Sequence, residues 1–145
     1  MALTAKMYGL FLKSLANKEV DLDSDTLKVM LCTSSYTPNQ DTHQYKSDVT
    51  NEITGTGYSA GGQTLTGVTV TYNAATNTLM LDANDPSWGS STLTARYLVA
   101  YDDTPATAAA KPLICYWDFG QDEVSSSGNF TATISGSGLI TITAA

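Results

Sequence analysis

A series of short runs rich in Val, Ile, Leu, Thr and Tyr, broken by turn-forming residues, constrains this chain more than any other feature. In GVTVTYN, TNTLMLDA, TLTARYLVAYDD, NFTATI and LITITA, apolar and polar residues alternate. A period of two sends successive side chains to opposite faces of a strand, so alternation marks a sheet with one face buried. TLKVMLCTS begins a strand at Thr26, with Leu27, Val29 and Leu31 on one face and Lys28, Met30 and Cys32 on the other. Both faces are largely apolar, which predicts a central strand. LICYWDF reads as a buried strand from Leu113 to Phe119, and the longest candidate strand runs from Thr92 to Tyr101. Ala74 and Ala75 separate two runs that predict a hairpin from Val68 to Ala83, and SGSG separates NFTATI from LITITA in a predicted C-terminal hairpin. NDPSWGSS reads as a turn region and TPATAAAKP as a connector. Six or more strands with few helices predict an all-β fold, a β-sandwich or jelly-roll, rather than a parallel α/β sheet. The expected core comprises Leu27, Val29, Leu31, Val70, Leu79, Leu81, Leu98, Val99, Ile114 and Trp117.

Other segments lack this alternation. Residues 5 to 17, AKMYGLFLKSLAN, place Met7, Leu10, Phe11 and Leu15 at helical spacing among good helix formers. They predict a short N-terminal helix, although Gly9 leaves an extended arm as the competing reading. VDLDSD, residues 20 to 25, is an acidic turn. Residues 1 to 25 thus form a helix or arm plus a turn, part of the same unit as a single β-sandwich domain over 26 to 145. That domain carries a long polar loop, 34 to 66, broken by Pro38, Gly55, Gly57, Gly61 and Gly62, with one helical turn expected between Gln44 and Val49. Long loops in small domains are usually functional or interfacial.

Only 14% of residues are charged, against an average of about 25%. Thr, Ser, Asn and Gly must cover the surface instead, and such a surface is readily pressed against another protein. The formal charge is −7. Phosphate backbones and anionic membranes repel such a chain, so neither nucleic acid nor membrane is an expected partner. No apolar run approaches the roughly 20 residues that span a bilayer. MALTAK lacks the charged-then-apolar layout of a signal peptide, so Cys32 and Cys115 are expected as buried free thiols, with a disulfide as the alternative.

Residues that could carry chemistry are sparse. His43, the single histidine, has no nucleophile near it in sequence and reads as a surface or interface hydrogen-bonding group. Asp21, Asp23 and Asp25 alternate like the start of a Ca²⁺ loop, but Thr26 and Cys32 stand where an EF-hand needs Gly and Glu. They read as turn caps, with a looser Ca²⁺ site as the alternative. Asp82 with Asp85, and Asp102 with Asp103, end strands and read as turn chemistry rather than a glycosidase pair. Arg96, the one arginine, is expected to tie to Asp118. Trp88, Trp117, Tyr97, Tyr101 and Tyr116 would suit a sugar platform but read first as core or interface anchors. Paired thiols with one distant His do not make a zinc set. The chain is therefore expected to be non-enzymatic, with no cofactor and no metal.

The stretch from KVMLCTS through DVTNEITGTGY, followed by TARY, YDDT and DFG, resembles a family of small structural proteins of tailed bacteriophages. The likeness runs roughly from Asn17 to Gly120. It implies a virion component, assembled in the host cytoplasm. Within that class it implies a capsid decoration (cement) protein that binds and stabilises the outer shell. A tail, collar or fibre component is the alternative, and a carbohydrate-binding β-sandwich module is a further one. The resemblance carries over no catalytic residues.

Expected partners are other virion proteins, chiefly the major capsid protein, and copies of the same chain as a dimer or trimer. Met7, Tyr8, Leu10 and Phe11 make an apolar stripe near a chain end, a common form of docking element. Tyr36, Tyr45, Lys46 and Tyr58 are the contact candidates in the long loop. That loop holds few large apolar residues. Ordering it costs on the order of 1 kcal/mol or more per residue, and a partner surface is the expected source of part of that.

Overall fold

Two long strands organise the fold, and every other element is placed by its relation to them. The computed structural model describes residues 5–145. In chain order the elements are β1 (Lys6–Met7), α1 (Gly9–Ala16), β2 (Leu27–Cys32), β3 (Gln63–Thr64), β4 (Thr69–Asn73), β5 (Thr78–Asp82), β6 (Ser87–Asp102), β7 (Leu113–Thr131) and β8 (Ile140–Thr143). Single 3₁₀ turns lie at Lys46–Asp48 and Ala108–Ala110. Five strands form one sheet in the order β1-β7-β6-β2-β3, and three form another in the order β4-β5-β8. All strand pairs are antiparallel. The chain is all-β with one short helix.

The centre of the larger sheet is buried on both faces. Leu98 through Asp102 of β6, Leu113 through Trp117 of β7 and nearly all of β2 are buried. Cross-strand partners share a face, so the pairings Cys32–Tyr97, Met30–Val99 and Val99–Tyr116 put these residues together on one side. Leu31–Leu98, Leu98–Trp117, Val29–Ala100 and Ala100–Cys115 lie on the other. Val20, Leu22, Leu65, Leu81, Leu139 and Ile140 belong to the same core cluster. Of the expected core residues, Val70 and Leu79 are only half-buried, and the rest are buried.

The N-terminal segment realises both of its readings. Lys6 and Met7 are extended and pair with Tyr116 and Cys115, and Tyr8 N–H donates to Ile114 at 3.1 Å. The helix starts only at Gly9, so it is shorter than the expected span. Residues 1–4 of the expected arm lie outside the described residues.

The β6–β7 pair departs from the expected boundaries. NDPSWGSS was expected to be a turn, but Ser87 through Ser91 belong to β6, with Trp88 opposite Phe130. β7 likewise continues past Phe119 through GQDEVSSSG to Thr131. Register shifts between Trp88 and Ser91 and between Ser91 and Leu93 absorb the residues that break the alternation. The expected C-terminal hairpin does not form. β8 pairs with β5 instead, with Ile140 opposite Leu81 and Ile142 opposite Leu79, which extends one apolar face across three strands.

Candidate functional site

The segments expected to dock on a partner are bound to the chain's own sheet. The Tyr8 ring packs at a tilt with its centre 5.0 Å from that of Tyr116, and its hydroxyl lies 2.8 Å from that of Tyr36. The Tyr36 hydroxyl in turn lies 3.0 Å from His43 Nδ1, and the Tyr36 ring packs edge-on against Tyr97. Gln40 Nε2 donates to the Met7 carbonyl at 2.8 Å, and Gly9 N–H donates to the Gln40 carbonyl at 2.9 Å. Gln44 Nε2 donates to Ser14, and the Tyr45 hydroxyl donates to Glu19 at 3.0 Å. The Tyr58 hydroxyl donates to Glu52 at 2.7 Å while accepting Leu31 N–H at 3.0 Å. The Tyr101 hydroxyl donates to the Gly61 carbonyl at 2.6 Å, and the Lys46 ammonium sits 5.0 Å from the Tyr101 ring centre. At Gly62, with φ of 77°, a Cβ would collide with the Val29 carbonyl, so only glycine lets the loop approach β2 this closely.

These contacts correct the docking argument. Tyr8 and Phe11 have no exposed surface and Tyr36 has 1%, so they are core residues and not an exposed stripe. Met7, Leu10, Tyr45, Lys46 and Tyr58 are half-buried. Few large apolar residues are present in the loop, but Tyr36, Ile53 and Leu65 are buried and the others anchor it through their polar tips. The loop is ordered by its own sheet, and no partner is required to order it.

The titratable groups are largely committed to structure. Burial pushes the Cys32 thiol up to about 12, with the Glu52 charge adding to it, and burial raises Cys115 further. Thiols held protonated are poor nucleophiles. Both cysteines are free, and β6 separates their strands, which by strand spacing alone sets them at least roughly 9–10 Å apart; they also lie opposite Tyr97 and Ala100, on opposite faces, beyond disulfide reach. Arg96 Nε donates to Asp118 at 2.6 Å, and this hydrogen bond holds the Asp118 carboxyl below its usual range. That is the expected tie. The Asp25 carboxylate accepts Asp21 N–H at 2.7 Å, and the Asp21 carboxylate accepts Asp23 N–H at 3.0 Å. These aspartates close their own turn. Among the described residues no three His, Cys, Asp or Glu side chains converge as a metal site.

Asp102 is the exception. It has no exposed surface; Oδ1 accepts Thr104 N–H at 2.8 Å, and Oδ2 has no hydrogen-bond partner. Burial, aided by the nearby Asp25 carboxyl, pushes its carboxyl up to about 6.

Trp88, Trp117, Tyr101 and Tyr116 are buried and Tyr97 half-buried, so they offer no exposed row for a sugar. What remains open is elsewhere. A groove of about 490 Å³ lined by Thr33, Glu52, Thr92, Thr94 and Ser126 lies along the outer β6–β7 ribbon. A more apolar groove of about 530 Å³ is lined by Leu15, Val20, Leu22, Val70 and Leu79, with Lys18, Asp21 and Asp23 completing it. Tyr72 on β4 is 58% exposed. Sequence reasoning missed Tyr72 and this groove, although the alternation in GVTVTYN puts Val70 and Tyr72 on one face of a strand whose pairing it could not foresee.

Comparison with family models, with curated proteins and with solved structures finds no match for this chain.

Proposed function

We propose that this chain is a non-enzymatic structural component of a tailed-phage particle, a decoration protein that binds the outer shell and stabilises it. The observation that carries the reading is the commitment of its polar chemistry to its own scaffold. His43, Arg96, Glu52 and the Asp21–Asp25 turn are each bonded within the fold. The thiols are buried and held protonated. A rigid block with a hydroxyl-rich, weakly charged surface suits broad polar contacts, each weak and repeated many times over a lattice. An acidic protein on the outside of a shell sits away from packaged nucleic acid, where its charge is harmless.

A tail, collar or fibre role within the same particle is the second reading, which the motifs that carry the resemblance leave open. One experiment separates the two. Purified protein is added to particles that lack it, and the complexes are reconstructed by electron cryomicroscopy. Copies spread over the shell lattice support the decoration reading, copies confined to one vertex or the tail support the second, and no binding overturns both.

A further inference from the structure

The smaller sheet ends in a free edge. β4 (Thr69–Asn73) is hydrogen-bonded only to β5, so every second residue points its N–H and C=O away from the sheet. Proteins usually blunt such edges with charge, proline, bulges or brevity. β1 and β3, at the edges of the larger sheet, are two residues each. At the β8 edge, Ala5 and the Ser135–Gly138 turn share a crevice with Ile140 and Thr141. β4 has none of these devices. TVTYN contains no charge, proline or glycine, and no Asp, Glu, Lys or Arg occurs anywhere from Ile53 to Leu81. Its partner pairs with β5 run without a register break.

We propose that the β4 edge is a strand-addition surface for a second copy of this chain, the two copies pairing antiparallel about a two-fold axis beside Thr71. The inference stands on the edge itself and not on the particle reading. Absence of charge permits a second copy here. At a formal −7 two copies repel wherever their carboxylates face each other, and β4 lies in a stretch, Ile53 to Leu81, that has none, with Asp82 at the far end of β5. The sequence of the edge is also self-complementary. With the axis at Thr71, Val70 of each copy lies opposite Tyr72 of the other, an aromatic against a β-branched residue, and Thr69 lies opposite Asn73. The pairing covers Tyr72, otherwise 58% exposed, on the same sheet face as Val70 and Leu79 at the apolar groove. A two-fold contact of this kind closes on itself, whereas β4 adding to β8 would propagate into a filament. Five residues of edge bury less than the roughly 1,200 Å² of a standard interface, so the dimer is weak and concentration-dependent.

The test uses single cysteines in the full chain. Directly opposed residues in an antiparallel pair have Cβ atoms about 4.5–5.5 Å apart, close to what a disulfide needs. Thr71→Cys is exposed, and Cys32 and Cys115 are buried, so mild oxidation should give a disulfide-linked dimer without background. Thr141→Cys on β8 should remain monomeric at the same concentration. In sedimentation equilibrium, wild-type protein should associate with rising concentration and Thr71→Lys should weaken that association severalfold, up to about fivefold, as like charges directly opposed across a strand pair do. A wild-type chain that stays monomeric at every concentration overturns the proposal. So does an association that Thr71→Lys leaves unchanged, or cross-linking of Thr141→Cys as readily as Thr71→Cys.

Discussion

Asp102→Asn should stabilise this protein at neutral pH and flatten its stability below neutrality. Asp102 ends β6 with no exposed surface, one oxygen bonded to Thr104 N–H and the other without a partner. Its carboxyl is pushed up to about 6 by burial, with the Asp25 carboxyl close by. In the unfolded chain an aspartate titrates near 3.9. The folded state therefore favours the proton. Its contribution is fully present below about pH 4 and is lost as pH rises through about 6. The gap of about 2 pH units, at about 1.4 kcal/mol each, amounts to about 3 kcal/mol lost by pH 7. Asparagine keeps the acceptor for Thr104 N–H, removes the charge and offers an amide to Asp25.

Asp21 and Asp118 act in the opposite sense. Their carboxyls are held low, the first by hydrogen bonds within its turn and the second by Arg96, so their contributions are lost as pH falls. The wild-type curve alone mixes these effects, and the difference between wild type and variant isolates Asp102. Urea unfolding at pH 5 and pH 7.5 measures it. The variant should gain about 1–3 kcal/mol over wild type at pH 7.5 and about half of that at pH 5. A variant less stable than wild type at pH 7.5, or a difference that does not change with pH, refutes the reasoning.

Two further outcomes follow from the packing. Phe11→Ala removes a ring with no exposed surface and should cost about 3–5 kcal/mol in urea unfolding, whereas Leu12→Ala, on the exposed side of the same helix, should stay within about 0.5 kcal/mol. Native protein should not react with a thiol reagent, and both cysteines should react after unfolding without reductant; labelling that depends on reductant would reveal a disulfide.

The strand content was legible because alternation is a local signal. β2, β4, β5, the buried end of β6 and the buried start of β7 follow from residues a few positions apart. The second half of the β6–β7 ribbon was not, since GQDEVSSSG carries no apolar periodicity. Its strand conformation comes from pairing with β6, where Ser125 lies opposite Leu93 and Phe130 opposite Trp88. The pairing of β8 with β5 was hidden for the same reason: nothing local to LITITA distinguishes NFTATI from a strand some sixty residues earlier. Arg96 with Asp118 was readable because a lone cation inside a sheet needs a nearby carboxylate. The fate of Tyr8 and Phe11 was not. An apolar stripe near a chain end reads the same whether it covers its own sheet or a partner's.

The burial of that stripe changes what the N-terminal segment can offer to another molecule. Four of the seven Lys and Arg side chains are engaged inside the fold: Lys28 and Lys111 with Asp103, Arg96 with Asp118, and Lys46 over Tyr101. Lys6, Lys13 and Lys18 are exposed and make no ion pair among the described residues. All three lie on β1, α1 or the turn that follows. Tyr8 and Phe11 are turned inward, and what this segment exposes includes these three lysines and Leu12, on a chain with a formal charge of −7. Contact through these lysines would be electrostatic and would weaken with added salt, since exposed charges are screened beyond about 10 Å at 0.1 M. Contact through the uncharged β4 edge draws on backbone hydrogen bonds and the cover of Tyr72, and salt leaves those nearly untouched. The two surfaces are thus separable by ionic strength alone. Self-association through β4 should persist at high salt, and any binding carried by Lys6, Lys13 and Lys18 should not.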